Sequence, residues 1–260
     1  PARATPPSAA GIAAKQAGRV ETAADKWAQA KKAAPAVRKA IKHHFDAEAA
    51  AVADRVRGLD ARLAEMREAL RAGPVVDYET GVDAAYATLD EAAAELADFA
   101  RELAAVLELL EVCDNPDAGE PLRLALEDAR SELSVLKGLW DLAAVAQAFI
   151  ADWEGTLWGD IDTGVMEEET KQLSKALRAL DRRLRELPAY KSLEQTVKNF
   201  SIALPCVGDL KAPSMRDRHW KQLASITGKD IPLPFPADFA LRHLLALQLH
   251  KFVDDVGEVV

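Results

Sequence analysis

Apolar side chains recur every three or four residues over long stretches of this 260-residue chain. The clearest stretches are residues 37–70, 82–110 and 122–140. This spacing places the apolar side chains on one face of an α-helix. Ala and Leu, which dominate the apolar set, favour helices, and few β-branched runs occur. The pattern therefore predicts an all-α protein.

Strong breaks separate these stretches. Gly73 and Pro74 end the first, and a turn cluster at residues 114–119 follows the second. Helices this long gain most of their stability by burying the apolar face against neighbours, and short connections make neighbours antiparallel. We therefore expect an elongated antiparallel bundle of long helices, crossing at about +20°.

The two ends of the chain carry weaker patterns. Residues 1–8 are typical of a loop or an arbitrary starting point, and a marginal helix follows, in which Val20 and Trp27 lie one heptad apart. Pro35 is expected in the first turn of the next helix. Val260 ends the chain without a helix cap, which favours a piece cut from a longer protein.

The composition changes after Gly155, where Ala becomes rarer and Pro slightly more common. Asp160 or Asp162 is well placed to cap the start of a helix. We expect that helix to carry a single apolar stripe and to be closed by Pro188. The stripe repeats at spacings of four and three residues: Leu173, Leu177, Leu180, Leu184 and Leu187.

Further prolines divide the rest of the chain. Pro205 is expected to close a short helix, and Pro213 to lie early in another that ends before Gly228, its C′ residue. Residues 231–236 contain three alternating prolines, which exclude a helix or a central strand. A last helix is predicted over residues 238–256.

These patterns predict two domains. Residues 1–154 form the bundle of long helices, and residues 155–260 form a compact group of shorter helices. The net charge of −9 disfavours partnership with nucleic acid or an anionic membrane. No uninterrupted apolar run approaches the ~18 residues of a membrane span. Cys113 and Cys206 are isolated, which favours a reducing compartment over a disulfide framework.

The search for chemistry predicts no catalytic, cofactor-binding or metal site. Residues 227–230 superficially match the end of a phosphate-binding loop, but Leu223 stands where that motif needs Gly. Asp230 also replaces the metal-binding hydroxyl, so we interpret the segment as a helix C-cap. No cofactor is expected.

Histidines supply no metal site in this interpretation. His243 and His250 lie two helical turns apart, too far for one ion. The i, i+4 pair of His250 and Asp254 on the predicted helix is better explained as a surface or capping contact. His43 and His44 point to different helix faces.

Four tryptophans are large enough to dominate local packing: Trp140, Trp153, Trp158 and Trp220. We interpret them as core or inter-subdomain residues. The alternative is a docking surface for a neighbouring segment.

The order of several short motifs carries a family resemblance. They are Leu136-Lys137-Gly138-Leu139-Trp140, Leu157-Trp158-Gly159-Asp160, Met166-Glu167, Leu180-Asp181, Val197-Lys198-Asn199, Leu204-Pro205, Arg216-Asp217-Arg218-His219-Trp220 and Leu247-Gln248-Leu249-His250. From about Leu133 onward, the chain resembles the tail-to-linker region of dynein heavy chains, most closely those of axonemal type. Residues 1–120 resemble the helical bundles of the dynein tail by position alone.

The resemblance implies a mechanical function. In this family the linker is a helical arm that swings across a ring of AAA+ modules, and the tail binds accessory chains. It implies as partners the remaining linker and the AAA+ ring of the same heavy chain. Other dynein heavy, intermediate or light chains are further candidates. It implies a location in the cytoplasm, in the cytoskeleton of the ciliary or flagellar axoneme, and no ATPase activity in this stretch.

One hypothesis and one alternative to the dynein interpretation remain open at this point. Gly155 and Gly159 can supply a flexible hinge between tail and linker, since Gly permits many backbone conformations. An unrelated static scaffold, similar to spectrin-like or vinculin-like bundles, would also fit the long helices.

Overall fold

The computed structural model describes residues 9–259, and these residues form an all-α fold, as predicted. The only β pairing among them is an isolated antiparallel bridge between Leu157 and Ala240. The helices are α1 (Ala9–Ala72), α2 (Val82–Val112), α3 (Glu120–Gly155), α4 (Thr163–Ala179), α5 (Pro188–Leu210), α6 (Asp217–Thr227), α7 (Leu241–Leu245) and α8 (Val253–Val259). The elongation of the bundle stays a prediction.

Short 3₁₀ helices connect several of these elements: Pro74–Val76, Tyr78–Thr80, Pro116–Gly119, Trp158–Asp160, Arg182–Glu186 and Leu249–Lys251. The first and third confirm the breaks predicted at Gly73-Pro74 and at residues 114–119. The predicted loop at residues 1–8, the side chain of Val20 and the chain end at Val260 lie outside the described residues.

The chain divides into two compact units. The first comprises Pro1–Asp60 and Leu103–Leu122. Its described core consists of apolar side chains at helical spacing: Val52, Leu59, Leu103, Val106, Leu110 and Leu122. Gly119 packs closely against this core, because a Cβ at this position would meet the ends of the Leu107 and Leu110 side chains, which would have to shift.

The second unit comprises Ala61–Glu102 and Arg123–Val260. It has two apolar clusters. One surrounds Trp140 and includes the buried stripes of α3, α4 and the first half of α5. The other surrounds Trp220 and includes the second half of α5 with α6, α7 and α8. The domain boundary predicted near residues 154–155 stays a prediction.

The helix boundaries predicted at two prolines are wrong. Pro35 lies inside α1, and Pro205 lies inside α5. The α1 segment around Pro35 is exposed, so water can satisfy the carbonyl that Pro leaves without a donor. Pro205 is followed by the buried residues Cys206, Val207 and Leu210, whose burial stabilises a continued helix.

The leucine stripe after Gly155 was predicted to form one helix, but it is divided between two elements. Helix α4 ends at Ala179, and the chain continues as the 3₁₀ helix Arg182–Glu186. The Asp181 carboxylate accepts a hydrogen bond from the Arg183 amide at 2.8 Å, a local bond that competes with helix continuation. Leu180, Leu184 and Leu187 still pack against the Trp140 cluster. Asp162 caps α4, as one of the two predicted alternatives.

The last predicted helix is broken into α7, a 3₁₀ turn and α8. Gln248 adopts φ 57°, a left-handed conformation that ends α7 and its following turn. The predicted start of α6 at Pro213 is also wrong, since Arg216 precedes its first residue. Gly228 does cap α6 with φ 67°, and the proline segment at 231–236 is irregular, both as predicted.

One described stretch, Pro116–Gly155, is long and apolar enough by composition to cross a membrane, although the sequence has no uninterrupted apolar run. Its apolar face includes Leu139, Trp140 and Ala146, all buried in the Trp140 cluster. Lys137 and Asp141 form an ion pair at 2.7 Å on its surface. These core contacts account for part of its apolar character, since 28% of its apolar window is buried.

A charged network at α1 and α3 was not predicted. Glu132 accepts hydrogen bonds from Arg71 Nε at 2.6 Å and from Arg67 Nε at 3.1 Å. Burial raises the pKa of Glu132, but the hydrogen bonds and charges of Arg71 and Arg67 outweigh that effect and hold the pKa below its ordinary value. The ionised carboxylate therefore stabilises the fold.

Replacing Glu132 with Gln should flatten the acid limb of the stability curve. A lowered pKa contributes stability above about pH 5, and this contribution is lost as the pH falls below about 4. We expect Glu132→Gln to cost about 1.5–3 kcal/mol near neutral pH, and much less in acid. Urea unfolding measured across this pH range tests it. Asp98→Asn, which removes a highly exposed carboxylate, is the control and should change little.

Candidate functional site: the α3–α4 junction

The backbone between α3 and α4 is held by a segment more than eighty residues later in the chain. The amide of Trp158 donates to the carbonyl of Phe239 at 2.9 Å, and the amide of Leu241 donates to the carbonyl of Thr156 at 2.9 Å. Between them, Leu157 forms the antiparallel bridge with Ala240. We call this pairing of residues 156–158 with 239–241 the junction clamp.

Aromatic rings surround the junction clamp. The ring of Phe239 stacks on Phe235 with centroids 4.3 Å apart, and Phe235 meets Trp220 edge-on at 5.0 Å. Trp158 contacts Trp220 edge-on at 5.8 Å. Such pairs stabilise packing by about 0.5–1.5 kcal/mol each beyond the area they bury. These four rings, the junction aromatics, connect the junction to α6 and to the start of α7.

Two polar contacts extend this support to α4 and α5. Trp153 Nε1, in the last turns of α3, donates to Glu169 of α4 at 3.0 Å. Lys211, next to the end of α5, donates to the carbonyl of Ile161 at 2.5 Å, and its ammonium group lies 5.7 Å from the Trp158 ring. The junction is therefore attached to every helix from α3 to α7.

The four tryptophans mostly belong to the core, as predicted. Trp140, Trp153 and Trp220 are buried. Trp158 is half-buried and lines a groove of about 410 Å³ together with Lys211, Arg216 and Phe235. The groove walls combine aromatic and apolar side chains with the charged side chains of Lys211, Arg216 and Asp217.

The histidines considered as metal ligands have structural positions. Nδ1 of His243 accepts the amide of Ala240 at 3.0 Å, which caps α7. His250 and Asp254 lie in different elements, so the predicted helical pairing between them is wrong. His43 and His44 are exposed on α1. In the part of the chain that the structure describes, no three His, Cys, Asp or Glu side chains are grouped to hold a metal ion.

The family follows from the sequence that builds this site. Residues 126–260, which include the junction, most of α3 and all of α4 to α8, match the family model described as dynein heavy chain, N-terminal region 2. The chain belongs to the dynein heavy chain family. The match confirms the resemblance inferred from the motifs between Leu133 and His250.

Individual dyneins match over most of the chain. The chain is 38% identical over 242 residues to the Dynein alpha chain, flagellar outer arm, of Chlamydomonas reinhardtii, covering 93% of this chain and 5% of that protein. It is 33% identical over 240 residues to the Dynein beta chain, ciliary, of Heliocidaris crassispina, covering 91% and 5%. It is 31% identical over 241 residues to Dynein axonemal heavy chain 11 of Sus scrofa, covering 93% and 5%.

These dynein matches extend well before Leu133, so the first half of the chain is also related by sequence, beyond the positional argument. The chain spans only 5% of the length of these relatives. Sequence reasoning missed Phe235, Phe239 and Lys211 as parts of the junction. No local signal could have linked them to the junction, because the junction residues that they contact, Trp158 and Ile161, lie far earlier in the chain.

The hinge hypothesis depends on Gly155 and Gly159, so we ask whether the structure requires glycine at either position. Neither has a positive φ, and a Cβ at either position meets no atom within 4 Å. We expect Gly155→Ala with Gly159→Ala to keep or slightly raise stability, by up to about 1 kcal/mol. Gly228→Ala, at φ 67°, should instead cost about 1–2 kcal/mol. Thermal unfolding by circular dichroism compares the two, and a loss in the double variant would show that glycine is needed there.

Proposed function

We propose that this chain is a non-catalytic mechanical part of an axonemal dynein heavy chain. Residues 1–154 serve as the adjoining end of the tail, and residues 155–260 as the N-terminal part of the linker. The chain transmits ATP-driven motion, generated elsewhere in the heavy chain, during ciliary or flagellar beating. Its place is the axonemal cytoskeleton.

The junction clamp carries this proposal. Helix α3 ends at Gly155, and within the next three residues the backbone is paired with residues 239–241. A rotation of α3 must therefore move α6 and α7, or break the two backbone hydrogen bonds of the clamp and separate the junction aromatics. A coupling of this kind suits a part that transmits force between a tail and a linker.

Partners follow from the same proposal. The rest of the linker and the AAA+ ring of the same heavy chain lie on the output side. Other dynein heavy, intermediate or light chains lie on the tail side. The related dyneins are flagellar, ciliary and axonemal by name, which supports the axonemal placement.

The absence of catalysis is testable with the 260-residue chain itself. Gly228 ends α6 as a left-handed cap, so residues 227–230 do not present a row of amides to a phosphate. We expect no phosphate release from ATP above the buffer rate in a colorimetric assay with Mg²⁺. Steady release that scales with chain concentration would contradict the proposal.

A further inference from the structure

The exposed part of α1 carries an apolar stripe that no described residue of the chain covers. Trp27 is 65% exposed, Ile41 is 60% exposed, and Val37 and Phe45 are also exposed. With about 100° of rotation per residue, Trp27, Ile41 and Phe45 lie within about 20° of Val52 around the helix axis. These three side chains therefore share the face of Val52, and Val37 lies about 60° to one side.

This stripe continues an interface that is already formed. Val52 and Leu59, on the same face of α1, are buried in the first compact unit, whose other core residues come from α2 and the start of α3. The face that packs against helices at residues 52–59 is thus the face left bare at residues 27–45. The continuity indicates that the missing partner is also a helix.

The charges beside the stripe indicate the chemistry of that partner. Residues 26–45 contain six lysines or arginines and no carboxylate, in a chain whose net charge is −9. Lys31 and Arg38 lie within about 60° of the stripe centre, and Lys26 and Lys42 lie within about 80°. They occupy the flanking positions that form interhelical ion pairs in a coiled coil. Lys31 also lies over the Trp27 ring at 5.5 Å.

We propose that residues 26–45 of α1 form a docking site for an acidic amphipathic helix of a partner polypeptide. The partner's apolar side chains cover Trp27, Ile41 and Phe45, and its carboxylates pair with Lys31, Arg38 and Lys42. This surface lies outside the junction, so the inference stands independently of the proposed function.

Charge and composition argue against two other occupants of this surface, a second copy of the chain and an anionic membrane. A second copy pairing α1 with α1 would place like charges opposite one another, which is destabilising. An anionic membrane would accept the charges, but a surface helix needs a wide apolar face. In residues 26–45, by contrast, the large apolar side chains are few and form a narrow seam, and most of the apolar residues between them are Ala.

The test uses a labelled synthetic helix of about 20 residues with Leu at heptad positions a and d and Glu at e and g. Fluorescence anisotropy should show binding to the 260-residue chain that weakens with salt. The same peptide with Lys at e and g should not bind. Ile41→Asp in the chain should abolish binding, and because Ile41 is exposed, the variant keeps its helix content by circular dichroism.

A pair of matched charge reversals separates a docking seam from general electrostatics. Arg38 with Lys42 flanks the stripe, whereas Lys32 with Lys39 lies on the opposite side, about 140–160° from its centre. R38E with K42E should weaken binding at least about tenfold, and K32E with K39E less than about threefold. Equal losses in both variants, or binding of the Lys peptide, would overturn the proposal. So would self-association of the chain in sedimentation, or preferential binding to phosphatidylserine vesicles.

Discussion

Replacing Trp140 with Ala should lower the free energy of unfolding by about 3–5 kcal/mol, the largest single effect expected in this chain. Trp140 is 0% exposed and belongs to one of the two apolar clusters of the second unit. Its Nε1 donates to the carbonyl of Val75 at 2.8 Å, and its ring stacks on Tyr78 with centroids 6.3 Å apart. The substitution leaves both a cavity and a buried carbonyl without its donor.

Two further variants divide that effect into its causes. Trp140→Phe keeps most of the ring volume but removes the donor, so we expect about 1–3 kcal/mol of the loss from the unsatisfied carbonyl. Trp27→Ala removes the same side chain from an exposed position and should change stability by less than about 0.5 kcal/mol. Urea unfolding followed by far-ultraviolet circular dichroism measures all three. A Trp140→Ala variant as stable as Trp27→Ala would contradict the packing described here.

Trp220→Ala should have the second-largest effect, about 3–4 kcal/mol, and a local signature. Trp220 is buried and contacts both Trp158 and Phe235 edge-on. Removing it takes away the ring that holds the junction clamp closed. Hydrogen exchange should therefore accelerate at the amides of Trp158 and Leu241, whose bonds form the clamp.

The amide of Cys113 provides an internal control for this experiment. It donates to the carbonyl of Leu109 at 2.9 Å. Both residues belong to the first unit, whereas Trp220 belongs to the second. Its exchange should not change in Trp220→Ala. Equal acceleration at all three amides would mean general destabilisation, and no acceleration at the junction would mean that the aromatics do not support the clamp.

The sequence predicted the parts of the fold that depend on local chemistry. The three-and-four spacing of α1, α2 and α3, the cap at Asp162 and the left-handed Gly228 all follow from neighbours within one or two turns. The prolines show where local rules fail. Pro35 and Pro205 lie inside helices because solvent, in one case, and core burial, in the other, offset the missing hydrogen bond.

The candidate site depended on contacts that no local pattern encodes. The pairing of Leu157 with Ala240 and the bond from Lys211 to Ile161 join residues far apart in the chain. The tryptophans were recognisable as packing residues from their size. Phe235 and Phe239 lay in or beside a proline-rich segment whose only sequence signal was irregular backbone. A side-chain hydrogen bond also changed the structure that the leucine spacing predicted, since Asp181 accepts the Arg183 amide within the stripe and the single predicted helix is divided there.

The central claim is that the α3–α4 junction transmits motion, and a flexible insertion tests it most directly. Gly-Ser-Gly-Ser is inserted after Gly155 in the complete heavy chain, and, as the matched control, between Asp114 and Asn115 in the turn before α3. Microtubule gliding velocity and ATP turnover are then measured for both. We predict that the junction insertion slows gliding several-fold while turnover is retained, and that the control glides near the normal velocity. Equal velocities for the two insertions would contradict the claim and favour a static scaffold.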